Sequence, residues 1–252
     1  MIMIPHSQSY TGPRCAIIAA VVRAESAYVP TLAMQRSDSP RHSAVVRFTH
    51  SITALTFVAL LVSGIMILIA LPHLYWGETG ALGTPSLLDL PIPLTLGYSG
   101  WGRYLHFLSA WISVFAGLVY VLAGLRTRHF VEDLLPARAD LVWEPIWRSV
   151  VDHVRWKRPT EEAYNVLQRL AYLAVVFIFF PLIVVTGLGM SPAIVSVVPA
   201  VATVFGGQQS ARTLHFFIAS FLVIFLAVHI AMVCLAGFTN RVRAMITGRS
   251  GT

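Results

Sequence analysis

Lysine is almost missing from this chain: Lys157 is the single one among 18 basic residues, and Asp plus Glu number only 11. Charged residues make up 12% of the 252 positions, about half the share usual for a soluble domain. Cysteine is also scarce. Cys15 and Cys234 stand far apart in neither a CxxC nor a CxxCH pattern, which sets aside a disulfide framework, a thiolate metal site and covalent haem attachment. No basic stripe with interleaved aromatics lies on a polar segment, so the formal charge of +7 does not describe a nucleic-acid-binding surface. The arginines stand instead at the edges of apolar runs, where they orient a membrane protein.

What is abundant is apolar. Hydrophobic residues reach 56% and the mean hydropathy is +0.72, which places the bulk of the chain in lipid. Four stretches, Phe48 to Leu71, Gly102 to Leu125, Val166 to Met190 and Thr213 to Gly237, are each long enough to cross a hydrocarbon core of about 30 Å as a helix of roughly 20 residues. They predict an all-α integral membrane four-helix bundle. A further apolar run, Pro192 to Phe205, contains Pro199 and at about 14 residues suits an interfacial or re-entrant segment better than a fifth span.

Direction follows from charge, because arginine-rich loops stay in the cytoplasm. Arg14, Arg23, Arg36, Arg41 and Arg47 precede the first span, seven basic residues from Arg126 to Arg158 join the second to the third, and Arg241, Arg243 and Arg249 follow the fourth. The loop from Pro72 to Trp101 carries Glu78 and Asp89 and no basic residue. Both termini are therefore expected in the cytoplasm. In the long connection, His129–Leu135 and Trp143–Arg148 mix aromatic and charged residues, as helices packed on a membrane surface do. Residues 1–40 are expected to be a disordered tail. Cys15–Val22 is too short for a span or a signal peptide, and Met34 is a candidate for the true start. The four-span domain covers 41–248.

Ionisable groups inside a span are costly, so each is a candidate for function. Four of nine histidines lie there: His50 near the start of span one, His106 near the start of span two, and His215 and His229 on span four. The last two are 14 residues apart, a rise of about 21 Å with the side chains within roughly 40° of one face. With alternating span direction, His106 and His215 share a level on the periplasmic side, and His50 and His229 share one on the cytoplasmic side. Two imidazoles at one height on facing helices are what a six-coordinate b haem needs, and the topology supplies that twice. Zinc fits less well, since no Cys, Asp or Glu accompanies either pair.

Arginine precedes three of these histidines by three residues: Arg47 before His50, Arg103 before His106 and Arg212 before His215. Each guanidinium then lies one turn nearer the membrane surface than its imidazole, placed to pair with a haem propionate or to act as a snorkelling anchor. Glycine makes room for a macrocycle between helices. Gly64, 14 residues after His50, falls at the outer level, and Gly117, 11 after His106, falls at the inner one; Gly187 and Gly189 are assigned to ordinary helix packing.

With Arg212-Thr-Leu-His215 and His229 on one span as its most specific element, the region from about residue 40 to 248 resembles the di-haem cytochrome b subunits of bacterial respiratory enzymes. That group includes the anchors of nickel–iron hydrogenase, formate dehydrogenase-N and thiosulfate reductase. Arg41-His42-Ser43, Asn165 to Tyr172 and Thr186 to Pro192 are most similar to the thiosulfate-reductase branch. The resemblance implies two b haems and a quinone site near His229, with Asn165 and Gln168 contributing. Leu167 stands where relatives can carry glycine, and Asn165 is equally suited to cap a helix. The resemblance further implies electron exchange between quinone and a periplasmic molybdenum or nickel–iron oxidoreductase subunit. Two alternatives stay open: a free-standing quinone-linked cytochrome reacting with a small oxidant such as superoxide, and a haem-free transporter whose histidines relay protons.

Overall fold

The structure is a computed structural model that describes residues 43–78, 84–92, 100–136, 141–155 and 166–248. The tail expected over 1–40 lies outside the described residues. Four helices are long and apolar enough to cross a membrane: α1 (Ala44–Ala70), α2 (Gly100–Arg126), α4 (Val166–Gly189) and α7 (Gln208–Leu235). Between them lie α3 (Trp143–Val154) and two four-residue helices, α5 (Pro192–Val195) and α6 (Ala200–Thr203), and α8 (Phe238–Thr247) closes the chain. The protein is an all-α integral membrane bundle, as its sequence predicts. The run from Pro192 to Phe205 folds into α5 and α6, neither of which can span.

Helices α1, α2 and α7 begin a few residues before their apolar stretches. Ser43 caps α1, its Oγ accepting from the Val46 amide at 3.3 Å, which meets one of the donors a helix start leaves over. Helix α7 starts from Gly207, whose φ of 119° and ψ of 171° belong to a region essentially confined to glycine. A Cβ there would also run into the Gly77 and Glu78 backbone.

Within α4, Val175–Phe179 forms a π-helical turn just before Pro181. Proline has no N–H to give the preceding turn, and a local π turn is a common adjustment in such a helix.

Helix α1 packs along α2 and α4 along α7, while the backbones of the two pairs stand further apart. The residues buried along the first three spans are small, among them Thr49, Thr56 and Ser63 on α1, Ser109, Ser113 and Ala116 on α2, and Thr186 and Gly189 on α4. Small residues let helix backbones approach closely in lipid, where dispersion contacts replace the hydrophobic effect. Large apolar side chains such as Leu55, Phe115, Phe221 and Ile224 are exposed, which suits a lipid-facing surface.

At one end of the bundle, β1 (His73–Leu74) pairs antiparallel with β2 (Leu88–Asp89). This hairpin is tied to the start of α7. Thr213 donates its hydroxyl to the Tyr75 carbonyl at 2.6 Å, Ser210 Oγ accepts from the Gly77 amide at 2.8 Å, and Leu74 is fully buried. We call this the hairpin end and the opposite one, where α1 begins, the tail end. At the tail end Phe130 is buried against Tyr120 and Phe177, over Gly124. That aromatic anchor ties the connection after α2 into the bundle and goes beyond the surface packing expected of His129–Leu135.

Candidate functional site

The two histidines of α7 each face one other imidazole. His106 on α2 meets His215 with ring centroids 6.3 Å apart, and His50 on α1 meets His229 with centroids 6.4 Å apart. The pairing by height thus places one couple toward the hairpin end and the other toward the tail end. In both, the rings are tilted, by 59° and 53°.

These separations have a simple meaning. A five-membered ring of bonds near 1.35 Å has a radius of about 1.15 Å, and a metal–imidazole bond is about 2.0 Å long. Two imidazoles on opposite sides of one metal ion therefore carry centroids about 6.3 Å apart. Both couples stand at that spacing, each joining a helix of the α1–α2 pair to α7 of the other pair. The donor set, two neutral imidazoles per level in an apolar bundle, fits haem iron.

The surroundings of the couples differ. Toward the hairpin end, Ser63 Oγ lies 3.0 Å from His106 Nδ1 and Thr186 Oγ1 lies 3.1 Å from His215 Nδ1. Gly64 and Gly187 adjoin the same rings: a Cβ on them would come within 3.7 Å and 3.4 Å of the His106 and His215 Cε1 atoms. Gly64 therefore lies beside His106. Gly187, assigned from the sequence to helix packing, instead supports an imidazole, whereas Gly189 packs on α6 and α7 at Val201 and Ala211. Toward the tail end, His229 is stacked on Phe225 at 17° and edged by Tyr172, whose hydroxyl lies 3.5 Å from Nδ1.

The arginines divide. Arg212 gives two N–H groups to the carbonyls of Leu71 and His73, at 2.5 and 3.1 Å, so it braces the hairpin as well as standing one turn from His215. Arg47 donates to the Ile246 carbonyl of α8 at 3.2 Å, while its Nε is buried with no hydrogen-bond partner among the described residues. An orphaned guanidinium N–H one turn from His50 suits an anionic group such as a propionate. Arg103 is exposed at the start of α2. Gly117 lies against Phe180 of α4, which a Cβ there would meet at 2.8 Å. Gln168 is half-buried near the start of α4, and Asn165 lies outside the described residues.

Sequence reasoning missed Ser63, Thr186 and Arg169. Arg169, three residues before Tyr172, also has a buried Nε without a hydrogen-bond partner among the described residues. The signal that could have found the hydroxyls is the pair of dipeptides Ser63-Gly64 and Thr186-Gly187.

Outside the spans, Asp89 Oδ1 accepts from Ser86 at 2.5 Å and pairs with His73 Nδ1 at 2.7 Å. The Ser86 hydrogen bond, followed by the His73 one, holds the exposed Asp89 carboxyl below its ordinary range.

An apolar bundle with imidazoles coupled at metal-ligand spacing defines a membrane protein of the haem-binding class. The chain belongs to the prokaryotic cytochrome b561 family, whose model matches residues 41–248. It is thus a multi-pass bacterial membrane protein that carries electrons with haem b. It is 29% identical over 210 residues, 82% of this chain and 96% of the relative, to the "Putative protein-methionine-sulfoxide reductase subunit YedZ1" of Azospira oryzae. No solved structure matches the chain.

Proposed function

We propose that this cytochrome holds two b haems, one between His106 and His215 and one between His50 and His229, and carries electrons between quinone and a periplasmic oxidoreductase subunit. The observation that carries this reading is the repeated imidazole spacing of 6.3 and 6.4 Å. Bound there, haem b supplies a one-electron carrier at each membrane face. The chain's own contribution is to fix the two levels, 14 residues apart on α7 and so about 21 Å along its axis. It also shields them with apolar side chains and offers cations for propionates.

Both termini are cytoplasmic in this reading, so the hairpin end faces the periplasm and presents the partner surface. Quinone is placed at the tail end, where His229, Phe225 and Tyr172 form an aromatic corner with Gln168 and Arg169 earlier on α4. The resemblance to respiratory cytochromes b supports a molybdenum or nickel–iron partner. The curated relative's name, a reductase subunit, supports a partner that consumes electrons.

The test is a redox difference spectrum with a pyridine haemochrome assay on the purified full chain, followed by quinol addition in proteoliposomes. Two haem b per chain, both reduced by quinol, are expected. A chain from haem-sufficient cells that carries no haem would overturn the reading in favour of proton relay. Two haems that quinol leaves oxidised would remove the quinone link.

A further inference from the structure

Serine and threonine inside a membrane helix commonly return their hydroxyl proton to the carbonyl one turn back. Thr56 does so in this chain, bonding the Ile52 and Thr53 carbonyls at 2.9 and 3.1 Å. Ser63 bonds the Ala59 carbonyl at 2.7 Å and Thr186 the Leu182 carbonyl at 2.8 Å. These two differ from Thr56 in a second contact each, to the Nδ1 of a histidine on the neighbouring helix. Both are fully buried.

A hydroxyl has one proton. With that proton committed to the helix carbonyl, the oxygen can only accept, so the ring nitrogen facing it must be N–H. The protonated nitrogen is then Nδ1, and Nε2 is left with its lone pair for a metal.

The device occurs twice. Helix α1 offers Ser63-Gly64 to His106 and helix α4 offers Thr186-Gly187 to His215; in each case the hydroxyl takes the ring N–H while the glycine lets Cε1 rest close to the backbone. Arg103 and Arg212 precede the two histidines at the same distance. On the α7 side of the tail-end couple a phenol stands instead, 3.5 Å from His229 Nδ1.

We propose that Ser63 and Thr186 are positioning residues that lock His106 and His215 in the Nδ1–H tautomer and, by accepting those protons, lower the reduction potential of the hairpin-end haem. The proposal rests on the two-haem reading above. An imidazole whose outer N–H is hydrogen-bonded is a more basic ligand and favours the ferric state.

The test is a spectroelectrochemical titration of the full haem-loaded protein and its Ser63→Ala, Thr186→Val and doubly substituted forms, with the low-spin ferric EPR signals recorded alongside. One of two redox waves is expected to move upward in each single variant. In the double variant the equilibrium constant for reduction should rise about tenfold, or 59 mV for one electron. The second wave should stay in place, and Ser63→Thr and Thr186→Ser should retain wild-type behaviour. Selective loss of one centre in the alanine or valine forms, regained with the hydroxyl-bearing ones, supports the same role. Two waves and two EPR signals unchanged in the double variant would overturn the proposal while leaving the two-haem reading intact. A wild-type chain with fewer than two haems would instead overturn both.

Discussion

Replacing His229 by alanine separates the two levels most cleanly. The residue lies about 21 Å along α7 from His215 by helical rise, and its neighbours, His50, Tyr172 and Phe225, are not those of His215. The hairpin-end couple keeps both imidazoles, its two hydroxyls and its glycines. Sites this far apart with no shared partner respond independently, within a few tenths of a kcal/mol.

Haem content should therefore fall from two per chain to one in His229→Ala, to one in His215→Ala, and to none in the double variant. Alanine is the best helix former, so α7 itself should persist. The assay is pyridine haemochrome against peptide concentration on detergent-purified protein, with circular dichroism to verify the helices. His129→Ala, in the connection after α2, serves as the control and should keep both haems. Two low-spin haems fully retained in His229→Ala would refute the reasoning. So would loss of both from a chain whose helicity is unchanged.

Three further outcomes follow from contacts away from the imidazoles. Arg212→Gln should remove the charge-assisted bonds to Leu71 and His73, cost about 2 kcal/mol and speed amide exchange over residues 71–78. Gly207→Ala should lower the thermal midpoint in detergent more than Gly237→Ala. Both glycines have positive φ, 119° and 94°, which costs a non-glycine residue about 1 kcal/mol or more, yet only the Gly207 substitution also meets backbone. Asp89 has a folded pKa below its ordinary value of 3.8. It should therefore steady the hairpin above that value and stop doing so as pH falls through the lowered folded pKa. Amide exchange across β1 and β2 should rise there in the wild type and be raised already at neutral pH in Asp89→Asn.

The spans were legible because apolar length is a coarse property that local detail does not disturb. Their true ends were not, since helices run on into polar sequence wherever a cap or a loop receives them, as Ser43 and Gly207 do. The π turn at Val175–Phe179 left no mark apart from Pro181. The hairpin was illegible for a different reason. Two residues per strand are too few to show alternation, and what holds them is Ser210, Arg212 and Thr213, more than 130 positions further on.

The imidazoles stood out because a titratable group in lipid needs a reason, and helical rise alone matched their heights. Their hydroxyl partners carried no such flag, since Thr56 and Ser63 look alike until a neighbouring helix is set beside them. That neighbour's register gives the arrangement its sense. Tyr172 and Thr186 are 14 residues apart on α4, just as His229 and His215 are on antiparallel α7, so one offset brings a phenol to one imidazole and an aliphatic hydroxyl to the other. The proposed ligands on α7 are chemically identical. What distinguishes their two levels on this side of the bundle is therefore written largely on α4, whose residues bind no iron in the proposed scheme, with Phe225 of α7 adding its ring beside His229.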